Sequence, residues 1–146
     1  MRTQSKLALS ACVFALVGCA TTPPPTSEVR PVPQERLLAY QNQLGSTSAS
    51  LVVTRDAGLV GSGCYYALSI NGSLAARFDV SERAVFFLEP GEVLLRVGRD
   101  PLGKALCARG QDEWTQRETY LKGGETKYFR MSLDMNGKSD IQRADP

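Results

Sequence analysis

From Ala49 onward the chain is chopped into short runs of Val, Leu, Ile, Tyr and Phe by turn-forming residues, and this punctuation limits the fold more than any other feature. The runs are Leu51 to Thr54, Cys64 to Ser69, Leu74 to Val80, Ala84 to Leu88, Val93 to Val97, Arg117 to Leu121 and Thr126 to Leu133. Between them stand Asp56-Ala-Gly58, Asn71-Gly72, Glu82-Arg83, Pro90-Gly91, a long segment from Gly98 to Gln116 and Gly123-Gly124. None of these runs reads as a long helix. About seven short strands at this spacing predict a mainly β fold, a small antiparallel β-sandwich or partly closed barrel over 49–146.

The strand register is testable within the sequence. A two-residue turn at Asn71-Gly72 would pair Tyr66 with Arg77 and split the two apolar rows between opposite faces, which is costly when one face is buried. A three-residue loop, Ile70-Asn71-Gly72, pairs Leu68 with Leu74, Tyr66 with Ala76 and Cys64 with Phe78, and is the expected hairpin. With Val80, Phe86, Leu88, Val93, Leu95, Val97, Phe129, Met131 and Leu133, those rows make the expected core.

Ahead of the domain, Arg2 and Lys6 precede an apolar stretch from Leu7 to Val17 broken only by Ser10. A membrane-spanning helix needs roughly 20 apolar residues, so this stretch reads as the core of an export signal. It ends in Leu16-Val17-Gly18-Cys19, which resembles the lipobox of bacterial lipoproteins at all four places. The resemblance implies a signal peptide over 1–18, cleavage before Cys19, a diacylglyceryl thioether on its sulfur and a fatty acyl group such as palmitate on its amine. Chains of that size hold a protein to a membrane effectively permanently. In such lipoproteins Asp after the lipidated cysteine retains the protein at the inner membrane, and Ala20 stands there, which implies the outer membrane.

Residues 19–33 carry five prolines and no apolar period, which suits a lipidated Pro-rich tether, either a semi-rigid spacer reaching roughly 40 Å or disordered slack. Residues 34–48 follow as a short helix and linker, because Leu37, Tyr40 and Leu44 in Gln34 to Leu44 fall at helical spacing. Of the four cysteines, Cys12 leaves with the signal and Cys19 is acylated, so Cys64 and Cys107 remain to bond in an oxidising periplasm.

Charge and composition exclude several functions. The formal charge is +2, but without Arg2 and Lys6 the 17 basic residues fall to 15 against 15 acidic ones, with no basic stripe for nucleic acid. Histidine is absent, which removes the commonest general base and the commonest transition-metal ligand. Ser62, in Gly61-Ser-Gly-Cys64, has neither a nucleophile-elbow frame nor a histidine to activate it. No nucleotide-binding glycine pattern or calcium loop occurs, and no metal or cofactor is expected. Arg55-Asp56 could bind an anion or form an intramolecular pair, but a strand-end turn is the expected reading.

Ser69-Ile-Asn-Gly-Ser-Leu-Ala-Ala76, Leu88-Glu-Pro-Gly-Glu-Val-Leu-Leu-Arg96 and Gly124-Glu-Thr-Lys-Tyr-Phe129 resemble a family of uncharacterised small bacterial lipoprotein domains. Similar turns occur in transthyretin-like and peptidase-regulatory-like sandwiches. The shared residues are turn and core residues, so the resemblance implies a fold and transfers no catalytic residue.

Two functions follow as expectations. The first is a non-enzymatic binding or structural module that contacts an envelope protein or cell-wall partner through the 98–116 loop. Arg99, Arg109 and Trp114 are its candidate contacts, since interfaces favour Trp and Arg, although Trp114 equally suits burial against the sandwich. The second is a cell-wall-directed enzyme or inhibitor using Asp112 and Glu113 beside Trp114.

Overall fold

The computed structural model describes residues 21–146; the expected signal over 1–18 and the expected lipidation at Cys19 lie outside them. The nine strands are β1 (Arg30–Pro31), β2 (Ala49–Arg55), β3 (Tyr66–Ile70), β4 (Ser73–Phe78), β5 (Glu82–Leu88), β6 (Gly91–Arg99), β7 (Trp114–Leu121), β8 (Thr126–Leu133) and β9 (Ser139–Arg143). They form two sheets, ordered β1-β5-β2-β8-β9 and β4-β3-β6-β7. The seven strands read from the sequence are present, and the architecture is the expected small β-sandwich. Most ladders are antiparallel, but β1 runs parallel to β5 and β2 parallel to β8, so one sheet is mixed.

Period-two alternation produces the core. Ala84, Phe86 and Leu88 of β5 face Val93, Leu95 and Val97 of β6 across the sandwich interior, joined by Phe129, Met131 and Leu133 of β8. Tyr66, Leu68, Ala76 and Phe78 are fully buried, as expected, while Leu74, Val80 and Cys64 are only half-buried. Ile141 of β9 and Leu121 at the end of β7 complete the interior. Truncating a fully buried Phe such as Phe78 or Phe86 should cost about 3–5 kcal/mol.

The β3–β4 hairpin corrects the expected register. Asn71 and Gly72 form a two-residue turn with φ of 49° and 84°, Ile70 faces Ser73, and Ser69 faces Leu74. The register then shifts between Leu68 and Ser69, so that Leu68 faces Ala76 and Tyr66 faces Phe78. The extra residue that aligns the apolar rows therefore sits in the ladder as a bulge at Ala75 and not in the loop.

Residues 21–48 form neither a free spacer nor an α-helix. Thr22 and Ala57 exchange both backbone hydrogen bonds, at 2.9 and 2.8 Å, and Thr21 is buried. β1 then adds to the β5 edge, and Val32 enters the core with 4% exposure. Gln34–Arg36 make a single 3₁₀ turn, after which Leu37 bridges Ala76 and the amides of Leu38 and Ala39 donate to the Ala75 carbonyl. Those amides find sheet-edge acceptors in place of helical ones, and Tyr40 takes φ of 61°, incompatible with a helix. The stretch therefore closes one side of the sandwich, covering the β5 and β4 edges that would otherwise be exposed. On the other side Thr115 Oγ1 donates to the Ser139 carbonyl and Arg117 Nε to the Ile141 carbonyl, both at 2.5 Å, stitching β7 to β9.

The two ends of the sandwich differ. At one end tight connections at 71–72, 89–90 and 122–125 join the strands. At the other lie the connections 56–65, 79–81, 100–113 and 134–138, three of them longer, with the Thr21 backbone beside them. A disulfide between Cys64 and Cys107, with Cα atoms 5.4 Å apart, ties the first of these loops to the third.

Candidate functional site

The long-loop end is organised around buried charge. Arg55, the last residue of β2, is 0% exposed, and its guanidinium donates to the carbonyls of Cys64 and Phe78 at 2.8 and 2.9 Å and of Gly61 at 2.8 Å. It also lies 4.7 Å from the Tyr66 ring centroid. Burial pulls its pKa down to about 10, so it is still charged at neutral pH. This one cation holds the 56–65 loop against the end of β4. Its neighbour Asp56 receives Arg130 and the Thr21 hydroxyl. Arg55 and Asp56 thus have separate partners inside the protein: both Nη groups of Arg55 are used while its buried Nε has no hydrogen-bond partner, and the buried guanidinium is closed to an external anion.

Two further ion pairs brace the same end. Arg36 grips Glu82 through two bonds of 2.7 and 2.6 Å, and this hydrogen bonding raises the Arg36 pKa above its ordinary value. Arg77 reaches Asp100 at 2.9 and 2.5 Å, which anchors the start of the 100–113 connection. Tyr65 lies beneath both cations, 4.4 Å from Arg36 and 5.2 Å from Arg77.

Against this frame, Tyr66, Arg99, Asp112, Glu113, Trp114 and Lys138 line a cleft of about 420 Å³. Trp114 opens β7 and lies on the backbone of Gly98, its facing partner in β6. A Cβ at Gly98 would stand 2.9 Å from the indole, so a glycine is required there. The Arg96 guanidinium is 5.2 Å from the same indole. Trp114 is consequently half-buried: it has a fixed orientation and still faces the cleft. Arg99 sits 5.5 Å from the Tyr66 ring, and the Tyr66 hydroxyl donates to the Gly137 carbonyl at 3.0 Å. Burial raises the Tyr66 pKa, which keeps this hydroxyl a donor well above neutral pH.

Of the candidates named from the sequence, Arg99, Trp114, Asp112 and Glu113 come together in this cleft. Arg109 is exposed just after the 3₁₀ turn Ala105–Ala108 and does not line it. Ser62 is exposed on the 56–65 loop. Sequence reading missed Tyr66, which looked like a core residue only, and Lys138, which lies in a short turn without any distinguishing pattern.

The cleft presents cationic donors from Arg99 and Lys138, carboxylate acceptors from Asp112 and Glu113, and one aromatic face. That set suits recognition of a polar group bearing both signs of charge, or of a peptide or sugar. Asp112 and Glu113 are both exposed to water. Among the described residues no group of three or more His, Cys, Asp or Glu side chains could hold a metal ion, and no helix is long and apolar enough to cross a membrane. No family model matches the chain, and no curated protein matches it.

Proposed function

We propose that this chain is a lipid-anchored cell-envelope protein of the outer membrane, processed at Cys19, whose sandwich serves as a non-enzymatic binding or structural module. The lipobox resemblance at Leu16 to Cys19 supports the anchor, and the bonded Cys64–Cys107 pair suits an oxidising compartment. The resemblance to small lipoprotein domains at the Asn71-Gly72 and Pro90-Gly91 turns agrees with it. The observation that carries the binding role is the joint presence of Arg99 and Trp114 in one cleft, the indole already immobilised on Gly98. A rigid aromatic anchor flanked by charge loses little side-chain entropy on binding and is the arrangement interfaces favour.

The test is capture of an envelope component by the lipidated protein from detergent-solubilised membranes. The same component should be recovered with the parent and with Arg109→Ala, and lost with Trp114→Ala and Arg99→Ala. Equal recovery with all four would contradict a role for the cleft.

A cell-wall-directed enzyme or inhibitor is the second reading, favoured by the presence of Asp112 and Glu113 in the same cleft as Trp114. Muropeptide turnover that disappears in Asp112→Asn/Glu113→Gln would establish it. Absence of turnover by the parent protein removes the enzyme.

A further inference from the structure

Resting on the lipidated terminus proposed above, we propose that the long-loop end of the sandwich is a membrane-docking surface. It inserts Leu59, Leu102, Leu106 and Met135 into the interfacial region of the bilayer that holds the Cys19 acyl chains. The first support is reach. Thr21 is fastened to Leu133 through its amide and hydroxyl, and Thr22 to Ala57, so the chain is held in the domain at Thr21, two residues after Cys19. Two residues of fully extended chain span about 7 Å. The Cys19 backbone therefore cannot stand farther than that from Thr21 beside Ala57 and Leu133, the glyceryl group lies beyond it only by the length of the cysteine side chain and its thioether, and this end of the domain must lie close to the lipid surface.

The second support is the character of that end. Leu59, Leu106, Met135 and Leu102 are 88, 69, 59 and 57% exposed, and with Tyr120 at 57% they are the most exposed large apolar side chains among the described residues. They occupy three different connections, 56–65, 100–113 and 134–138, which meet only in the folded structure. The tight-turn end carries a smaller set, Tyr120 and Leu44 at 57 and 51%. Large apolar side chains gathered at one surface cost free energy in water and are recovered in an interface. The disulfide and the Arg55 clamp fix two of the three loops beforehand, so little conformational entropy is lost on insertion.

Charge indicates how the surface works. The exposed charges of these loops balance, Lys104, Arg109 and Lys138 against Asp112, Glu113 and Asp134. Attachment is thus apolar and should respond weakly to headgroup charge and to salt, unlike a polybasic patch. Docking also brings the cleft of Arg99 and Trp114 to headgroup level, so its partner belongs to the membrane surface.

The experiment uses the full lipoprotein in vesicles whose acyl chains carry bromine as a quencher. Leu59→Trp and Leu106→Trp place a reporter at the surface, and Glu89→Trp places one at the tight-turn end, each read as the difference from the parent protein with its Trp114. All three positions are in exposed loops, and an intact Cys64–Cys107 bond by mass verifies the fold. The expected result is about twofold quenching at positions 59 and 106, none at 89, and the same values in zwitterionic and anionic vesicles at high salt. Further, amides of the 100–113 connection should exchange more slowly in vesicles than in detergent, and Leu106→Asp should abolish the difference. Quenching at 59 and 106 no greater than at 89, with the Cys19 lipid verified by mass, overturns the docking and leaves the anchor standing. Quenching confined to anionic vesicles at low salt overturns apolar insertion. Dimers that leave both reporters unquenched show that a second copy covers this end, and overturn it as well. A terminus without lipid defeats the anchor reading and this proposal together, and the mass alone identifies that case.

Discussion

The amide of Leu133 donates to the hydroxyl of Thr21 at 2.7 Å, across 112 residues of sequence. The same hydroxyl lies 3.2 Å from Asp56 Oδ2 and 3.2 Å from the Leu133 carbonyl, in a buried setting. A threonine in what reads as a loose proline-rich leader thus satisfies the end of β8 and fastens the leader to the domain.

Thr21→Val keeps the shape and leaves the Leu133 amide without a partner, which should cost about 1–3 kcal/mol. Urea unfolding of the protein in detergent should report that loss, with faster exchange of the Leu133 amide. Thr26→Val, on the exposed side of the same segment, should change neither.

Replacing both members of the disulfide, Cys64→Ser with Cys107→Ser, should lower stability by about 4 kcal/mol in the chain-entropy account, because the closed loop is 43 residues long. Unfolding under non-reducing conditions measures it. A loss below about 1 kcal/mol would mean that Arg55 alone already fixes the 56–65 loop.

Glu82→Gln should destabilise by about 3–5 kcal/mol, since Arg36 would be left buried with half its partner. Pairing Arg36→Met with Glu82→Leu should recover only part of the loss. The Asp79 amide, which donates to Glu82 at 2.7 Å, and the Arg77 carbonyl, which accepts from Arg36 at 3.0 Å, stay unpaired in the double variant. A double-mutant cycle by chemical unfolding separates these contributions.

Much of this was legible in the sequence and some was not. The strand runs, the Cys64–Cys107 bond and the grouping of Trp114 with Arg99 follow from alternation, compartment and proximity in one loop. The bulge at Ala75 did not, because the apolar rows only require that an extra residue exist somewhere in the hairpin. The role of residues 21–40 was hidden for a different reason. Its proline-rich composition describes a chain without partners of its own, whereas the unpaired edges of β4 and β5 supply them. Nor could sequence separate Arg55, which is wholly buried, from an ordinary strand-end cation, since its partners are backbone carbonyls of the 56–65 loop and the end of β4.

Stability should respond little to pH between about 6 and 9, because there is no histidine and Cys64 and Cys107 are bonded. Above that range Arg55 makes a contribution of definite sign. Its folded pKa, about 10, lies below the ordinary value for a guanidinium, so the folded state releases this proton first. The cost of burying the charge is fully present below pH 10 and is relieved as pH rises from 10 toward the ordinary guanidinium value. Tyr66 acts oppositely, since its raised pKa makes the folded state keep its proton longer than the unfolded one. The Arg55 part is isolated by comparing the parent with Arg55→Met: the deficit of the variant should be larger at pH 11 than at pH 8, as measured by urea unfolding.

The most direct test of the account is the mass of the N-terminal peptide of the protein purified from membranes. The account predicts a chain beginning at Cys19 with a diacylglyceryl thioether and an acylated amine. An uncleaved precursor, or a residue 19 thiol that reacts with an alkylating reagent, would contradict it.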